Sequence, residues 1–159
     1  MASLGRLIFF GLVMATTNAK LNFAIFFCQQ LDPDQDVNRR ALEKELGSRI
    51  KFFPLPCSGR IEVLHLMRAL EAGADKVFLV TCPIGACRYR EGNSRARKRL
   101  EFAQGLIEEI GFERERLELV VAAWPVPSSV DLIVRELISR EADTGPFAVA
   151  CGRTGRRKG

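Results

Sequence analysis

Cys82 and Cys87 are the closest-spaced cysteines in the sequence, in the run Cys-Pro-Ile-Gly-Ala-Cys-Arg-Tyr-Arg-Glu-Gly-Asn from Cys82 to Asn93. Pro83 fixes φ and removes a donor, and Gly85 permits a left-handed turn, so the loop brings the second sulfur back toward the first. Two thiolates on such a loop can clasp a metal centre. Cys28 and Cys57 follow apolar runs much as Cys82 does, which raises the number of candidate ligands to four. Four thiolates suit zinc or an iron–sulfur cluster, and spacing does not separate the two. Structural zinc sites usually pair their ligands as Cys-x-x-Cys, a pattern missing here, and are common where a fold is too small to hold itself. An iron–sulfur core with four thiolates carries net negative charge, which basic side chains stabilise. Arg88, Arg90, Arg95, Arg97, Lys98 and Arg99 can supply that stabilisation. Several of them fall in the first turns of a helix, where cations oppose the macrodipole at about 0.3 to 1 kcal/mol each, so a compensating anion is expected nearby.

The elements that must position these thiols alternate. Phe23 to Phe27 is a continuous apolar run, as expected of a strand covered on both faces, and it ends in Cys28. A helix over Val37 to Leu46 follows, with Val37, Ala41, Leu42 and Leu46 on one side and Gly47 at its end. Arg49 to Phe53 is a second strand, broken by Pro54 and Pro56 before Cys57, and Ser58 is placed to cap a helix whose buried stripe is Val63, Leu66, Met67 and Leu70. Val77 to Val80 is the third strand. After the cysteine loop, Ala96, Leu100, Ala103, Ile107 and Ile110 mark a helix over Ser94 to Ile110. Leu117 to Ala123 is a fourth strand, and Pro127-Ser128-Ser129 opens a helix carrying Val130, Ile133, Val134, Leu137 and Ile138 inward. Phe147 to Ala150 is a fifth strand of marginal length. This alternation implies an α/β fold: an open, mostly parallel sheet of four or five strands with helices on both faces, of flavodoxin-like type. In such a sheet all carboxyl ends lie on one edge, where sites form. Cys28, Cys57, Cys82 and Cys87 are therefore expected to converge there.

A chain of 159 residues, 47% hydrophobic and 27% charged, is enough for one domain with its own core. Its five cysteines are too sparse for a secreted disulfide scaffold and read as ligands or buried thiols in a reducing compartment, the cytoplasm. Residues 1–19 form an N-terminal extension, read as a mis-assigned start in preference to a cleavable signal, and their apolar run is too short to span a bilayer. Residues 20–143 form the folded domain, and 144–159 a C-terminal segment with a basic tail. The net charge of +5 is bunched at Arg88 to Arg99 and Arg153 to Lys158. Few aromatics accompany the first bunch, so nucleic acid is not an expected partner. Phosphate-binding glycine loops, nucleophile elbows and metalloprotease motifs are lacking, which leaves electron transfer or metal-supported interaction ahead of hydrolysis.

Pro56-Cys57-Ser58-Gly59-Arg60, then Gly73-Ala74-Asp75, then Cys82-x-x-Gly85-x-Cys87-x-Tyr89-x-Glu91-Gly92-Asn93 with Ala96 and Arg99, resemble in order the signature of the delta (iron–sulfur) subunit of methyl-viologen-reducing hydrogenase. The resemblance spans about Phe23 to Ile138. It implies a 2Fe–2S cluster, with zinc as the alternative from the residues themselves. It also implies a relay of electrons from hydrogenase or formate dehydrogenase to the flavin subunit of heterodisulfide reductase. The family's first strand normally ends in Cys-x-x-Cys, whereas this chain has Leu31 at the second position. If the family's thiol there is a ligand, the cluster in this chain is altered or absent; if it is a spare fifth cysteine, Cys28, Cys57, Cys82 and Cys87 still complete a set of four. Ser58, Arg60, Arg88, Tyr89, Glu91 and Asn93 are the residues expected to surround it, Tyr89, Glu91 and Asn93 orienting the loop through hydrogen bonds. His65 reads as a surface side chain, Trp124 as packing near the sheet edge, and Cys151 as a thiol outside the matching region.

Overall fold

β1 (Phe23–Cys28) and β3 (Lys76–Thr81) bury every one of their residues, which is why both read as apolar runs apart from Lys76 and Thr81 at the ends of β3. The structure, a computed structural model, describes residues 20–32, 34–125 and 129–144. β2 (Ile50–Leu55) and β4 (Leu117–Val121) flank the central pair in the order β2-β1-β3-β4, with all pairings parallel. α1 (Gln35–Leu46) and α4 (Val130–Thr144) lie over one face of the sheet, where Phe23, Ile25, Phe27, Phe52, Phe78 and Val80 meet Leu42, Val130, Val134 and Leu137. α2 (Val63–Glu71) and α3 (Gly92–Glu109) cover the other, closing on Ala24, Phe26, Val77, Leu79 and Leu117. This is the open parallel α/β sheet expected, and its arrangement is consistent with the flavodoxin-like type. No helix among the described residues is long and apolar enough to cross a membrane. The extension 1–19, the tail, Cys151 and the expected strand at Phe147 to Ala150 lie outside the described residues.

Several local expectations need correction. Pro54 does not end the second strand: β2 runs on to Leu55, because it is an edge strand, where a residue without an N–H is tolerated. Val37 and Ala41 are exposed, so α1 presents only Leu42 and Leu46 to the core. Ile110 is likewise exposed, one residue past the end of α3. Ser58 caps no helix. It lies in a 3-10 turn, Ser58–Arg60, while α2 starts at Val63 with its own capping box between Glu62 and His65.

Two polar clusters fix the loops around this core. Asp32 accepts hydrogen bonds from the backbone N–H of Asp34 (2.9 Å), from Asn38 Nδ2 (3.0 Å) and from the N–H of Val130 (3.2 Å), tying the loop after Cys28 to the start of α4. At the opposite edge of the sheet, buried Lys76 Nζ meets Glu141 Oε1 at 2.6 Å and Glu118 Oε2 at 3.0 Å, and Arg140 Nη2 meets Glu118 Oε1 at 2.7 Å. The charge that opens β3 thus holds α4 and β4 together.

Candidate metal centre

Chain direction creates the site. From β1 the chain passes to β2 on one side of it and then to β3 on the other, so the carboxyl ends of β1 and β3 frame the crevice where strand order reverses. Phe27 pairs with Val80 across that seam, so Cys28 ends β1 beside Thr81 and Cys82 follows one residue further on. The Sγ atoms of Cys28 and Cys82 stand 3.3 Å apart, both thiols buried and free.

Cys57 and Cys87 form a second pair, gathered by the first turn of α3. A Cβ on Gly92 would stand 2.5 Å from Cys57 Sγ and 2.8 Å from Cys87 Sγ, so only glycine lets the helix come this close to both sulfurs. Gly59 is equally constrained, since its own Cβ would meet Gly92 Cα at 2.8 Å. Backbone therefore packs on backbone. Arg99 clamps the contact by donating from Nη1 to the carbonyls of Gly59 (2.8 Å) and Ile61 (2.6 Å). Asn93 Nδ2 donates to the carbonyls of Cys82 (2.6 Å) and Pro83 (3.3 Å), pinning the other cysteine loop to the same helix turn.

The electrostatics couple the two pairs. Burial pushes the Cys82 thiol up to about 12, and the neighbouring sulfurs of Cys28, Cys87 and Cys57 push the same way. Cys57 is also raised, first by burial and then by Cys87 and Cys28, against a hydrogen bond from the Gly59 N–H to its sulfur. Ionising such thiols together requires a cation among them.

Whether the residues fit an iron–sulfur group is tested by what the nest leaves unsatisfied. Ser58, beside Cys57, has no exposed surface, and its Oγ has no hydrogen-bond partner; Asn93 Oδ1 is buried and unpartnered too. A buried hydroxyl without a partner costs about 1 to 3 kcal/mol, so Ser58 Oγ suits an acceptor that the chain does not itself supply, whereas Asn93 Oδ1, itself an acceptor, would need a donor. Among the described residues, no three His, Cys, Asp or Glu side chains are placed around a single metal ion. The sulfurs stand instead as two pairs, Cys28 with Cys82 and Cys57 with Cys87. Four cysteine thiols with a buried hydroxyl beside them are a donor set that an iron–sulfur core can use.

Of the residues expected around the thiols, Asn93 reaches them through the Cys82 carbonyl, and Ser58 sits beside Cys57. Arg60, Arg88, Tyr89 and Glu91 face solvent. The compensating anion foreseen for the basic run is, for Arg95, simply Glu91 at 2.9 Å, and Arg99 directs its charge at carbonyls. His65 is exposed, its Nδ1 accepting from the Glu62 N–H, and Trp124 is exposed rather than packed. Leu31 is wholly buried in the core against which α1 and α4 pack. Gly59, Gly92 and Asp32 were not singled out from the sequence for the contacts they make. Only the glycines stood within recognisable motifs, Pro-Cys-Ser-Gly-Arg and Glu-Gly-Asn.

Two grooves flank the outer pair. One of 350 Å³ is lined by Pro56, Cys57, Arg60, Tyr89, Gly92 and Arg95. The other, of 250 Å³, includes Ile84, Cys87, Arg90, Arg97 and Val121. A larger cavity of 580 Å³ between β1, β2 and α2 contains no thiol.

Comparison with known proteins bears on this centre. A family profile described as "Methyl-viologen-reducing hydrogenase, delta subunit" matches residues 24–141. The chain is 33% identical over 101 residues to the vhu iron-sulfur subunit of the F420-non-reducing hydrogenase of Methanopyrus kandleri, covering 64% of this chain and 76% of that one. It is 41% identical over 70 residues to the iron-sulfur subunit of the F420-non-reducing hydrogenase of Archaeoglobus profundus, covering 44% and 51% respectively. A third relative is a subunit of the ferredoxin:CoB-CoM heterodisulfide reductase of Methanosarcina mazei, 28% identical over 100 residues, which are 63% of this chain but 13% of that protein. With the match extending over most of its folded residues, the chain belongs to the methyl-viologen-reducing hydrogenase delta subunit family.

Proposed function

We propose that this chain is an electron-transfer subunit in which Cys28, Cys57, Cys82 and Cys87 hold a 2Fe–2S cluster. The observation that carries this reading is the arrangement of two sulfur pairs at the strand switch point, with Gly92 leaving the space for both outer sulfurs. One zinc ion would draw all four thiolates around a single point, whereas two pairs match two metals bridged by sulfide. When bound, such a cluster takes up and releases one electron at a time. The chain's own residues keep it dry on the Cys28 and Cys82 side and open on the Cys87 side.

The donor in this reading is a hydrogenase or a formate dehydrogenase, and the acceptor is the flavin subunit of a heterodisulfide reductase, in the cytoplasm. Support comes from the relatives described as iron-sulfur subunits of hydrogenases. It comes also from the Methanosarcina mazei reductase, where a similar stretch shares one polypeptide with the rest of a much longer subunit. The exposed side chains of Ile84, Tyr89 and Trp124, with Arg60, Arg88, Arg90 and Arg97, suit a docking partner with an apolar centre and an acidic rim. Anaerobic titration with dithionite tests the function: a visible chromophore that bleaches with one electron per chain is expected. A colourless protein that takes up no electrons would refute it.

A further inference from the structure

Ser58 occupies a place its sequence context does not explain. It lies next to Cys57 in a turn, has no exposed surface, and its hydroxyl meets no protein acceptor, not even a sulfur of the four cysteines. Its carbonyl is committed to the Ile61 N–H at 3.1 Å. The turn itself is fixed, because Gly59 packs against Gly92 and Arg99 holds the carbonyls of Gly59 and Ile61. A small side chain needed only for packing would be alanine, which avoids the cost of an orphaned donor. An acceptor arriving with the cofactor beside Cys57 would satisfy the hydroxyl.

We propose that Ser58 Oγ–H donates a hydrogen bond to a sulfur of the inorganic core and so raises its reduction potential. This rests on the reading of the four cysteines as cluster ligands. Reduction adds one electron, from the electrode or mediator, and one negative charge; no bond is made or broken, and the hydroxyl keeps its proton. A donor aimed at sulfur stabilises the more negative state more than the less negative one, which shifts the equilibrium toward reduction. Ser58 is a positioning and tuning residue, not a ligand.

The test compares the reconstituted full chain with Ser58→Ala by redox titration, with iron and sulfide assayed in each. The variant is expected to load normally and be about tenfold harder to reduce, a displacement of about 59 mV to more negative potential for one electron. A metal-free Ser58→Ala chain should at the same time be no less stable than the parent, since no partner is lost there. A loaded variant titrating at the parent potential would overturn the assignment. Should the variant fail to load, resonance Raman of the parent in H2O and D2O decides: bridging-sulfur modes that move on deuteration support the bond, and unmoved modes refute it. A parent chain that binds no iron and sulfide refutes the cluster reading itself, an outcome distinct from an unshifted potential.

Discussion

Cys28 Sγ and Cys82 Sγ stand 3.3 Å apart although 54 residues separate them, and the parallel pairing of β1 with β3 is what brings them together. The outer pair depends on something different, the close approach of a turn and a helix end.

This difference separates the cysteines by substitution. Cys28→Ser places a hydroxyl in a fully buried apolar site, which should cost the metal-free chain about 1 to 3 kcal/mol. Cys87→Ser, on a partly exposed loop, should leave metal-free stability within about 0.5 kcal/mol. Both variants should lose iron. Urea unfolding of the metal-free proteins together with iron assays checks this, and full iron retention by Cys87→Ser would remove that residue from the ligand set.

Gly92→Ala offers a cleaner separation of folding from binding. Alanine is favoured over glycine in a helix by about 1 kcal/mol, so helix propensity alone does not predict unfolding. Its Cβ, however, would fall 2.5 Å from one cysteine sulfur and 2.8 Å from another. The expected product is a folded chain, by circular dichroism, with little or no bound iron.

The alternation of strands and helices, and the convergence of the thiols on one sheet edge, were legible because periodicity and topology are properties of long stretches. Contacts set by a missing side chain were not. Gly59 and Gly92 are glycines because each leaves room for the other's backbone or for a sulfur, and no local pattern encodes that partnership. The position of Ser58 differs from its sequence reading for a related reason. A serine after a proline-cysteine turn looks like a helix cap, but the helix waits until Val63 and is capped by Glu62 and His65. Lys76, an odd charge at the start of an apolar strand, makes sense only once α4 brings Glu141 to within 2.6 Å.

That charge network predicts a dependence on pH. Burial alone would raise the Glu118 carboxyl, but hydrogen bonds from Arg140 and Lys76 outweigh it and hold the pKa below the ordinary 4.5. Because the folded value is depressed, the contribution is fully present above about pH 4.5 and is lost as pH falls through the folded value. Glu118→Gln should therefore be less stable than the parent at pH 7, by about 1 kcal/mol after solvent screening, and the gap should close below pH 4.5. Lys76→Met should cost more, about 3 kcal/mol, because Glu141 then loses a buried partner. Thermal unfolding between pH 3 and 7 measures both.

The arginines around the outer thiols should be visible in reaction rates. For the loaded, reduced chain, oxidation by anionic ferricyanide should be faster than by a cationic cobalt(III) hexammine after allowance for driving force, and should slow as salt rises. Replacing Arg90 and Arg97 with Gln should reduce both the preference and the salt dependence, since both side chains line the groove beside Cys87. Equal salt profiles for parent and variant would assign Arg90 and Arg97 no part in electron transfer.

Elemental analysis of the anaerobically isolated chain reaches the central claim most directly. Iron and acid-labile sulfide in equal amounts, about two of each per chain as a binuclear cluster requires, and lost together when either Cys57 or Cys82 becomes serine, are the predicted result. One zinc per chain with no sulfide would contradict it.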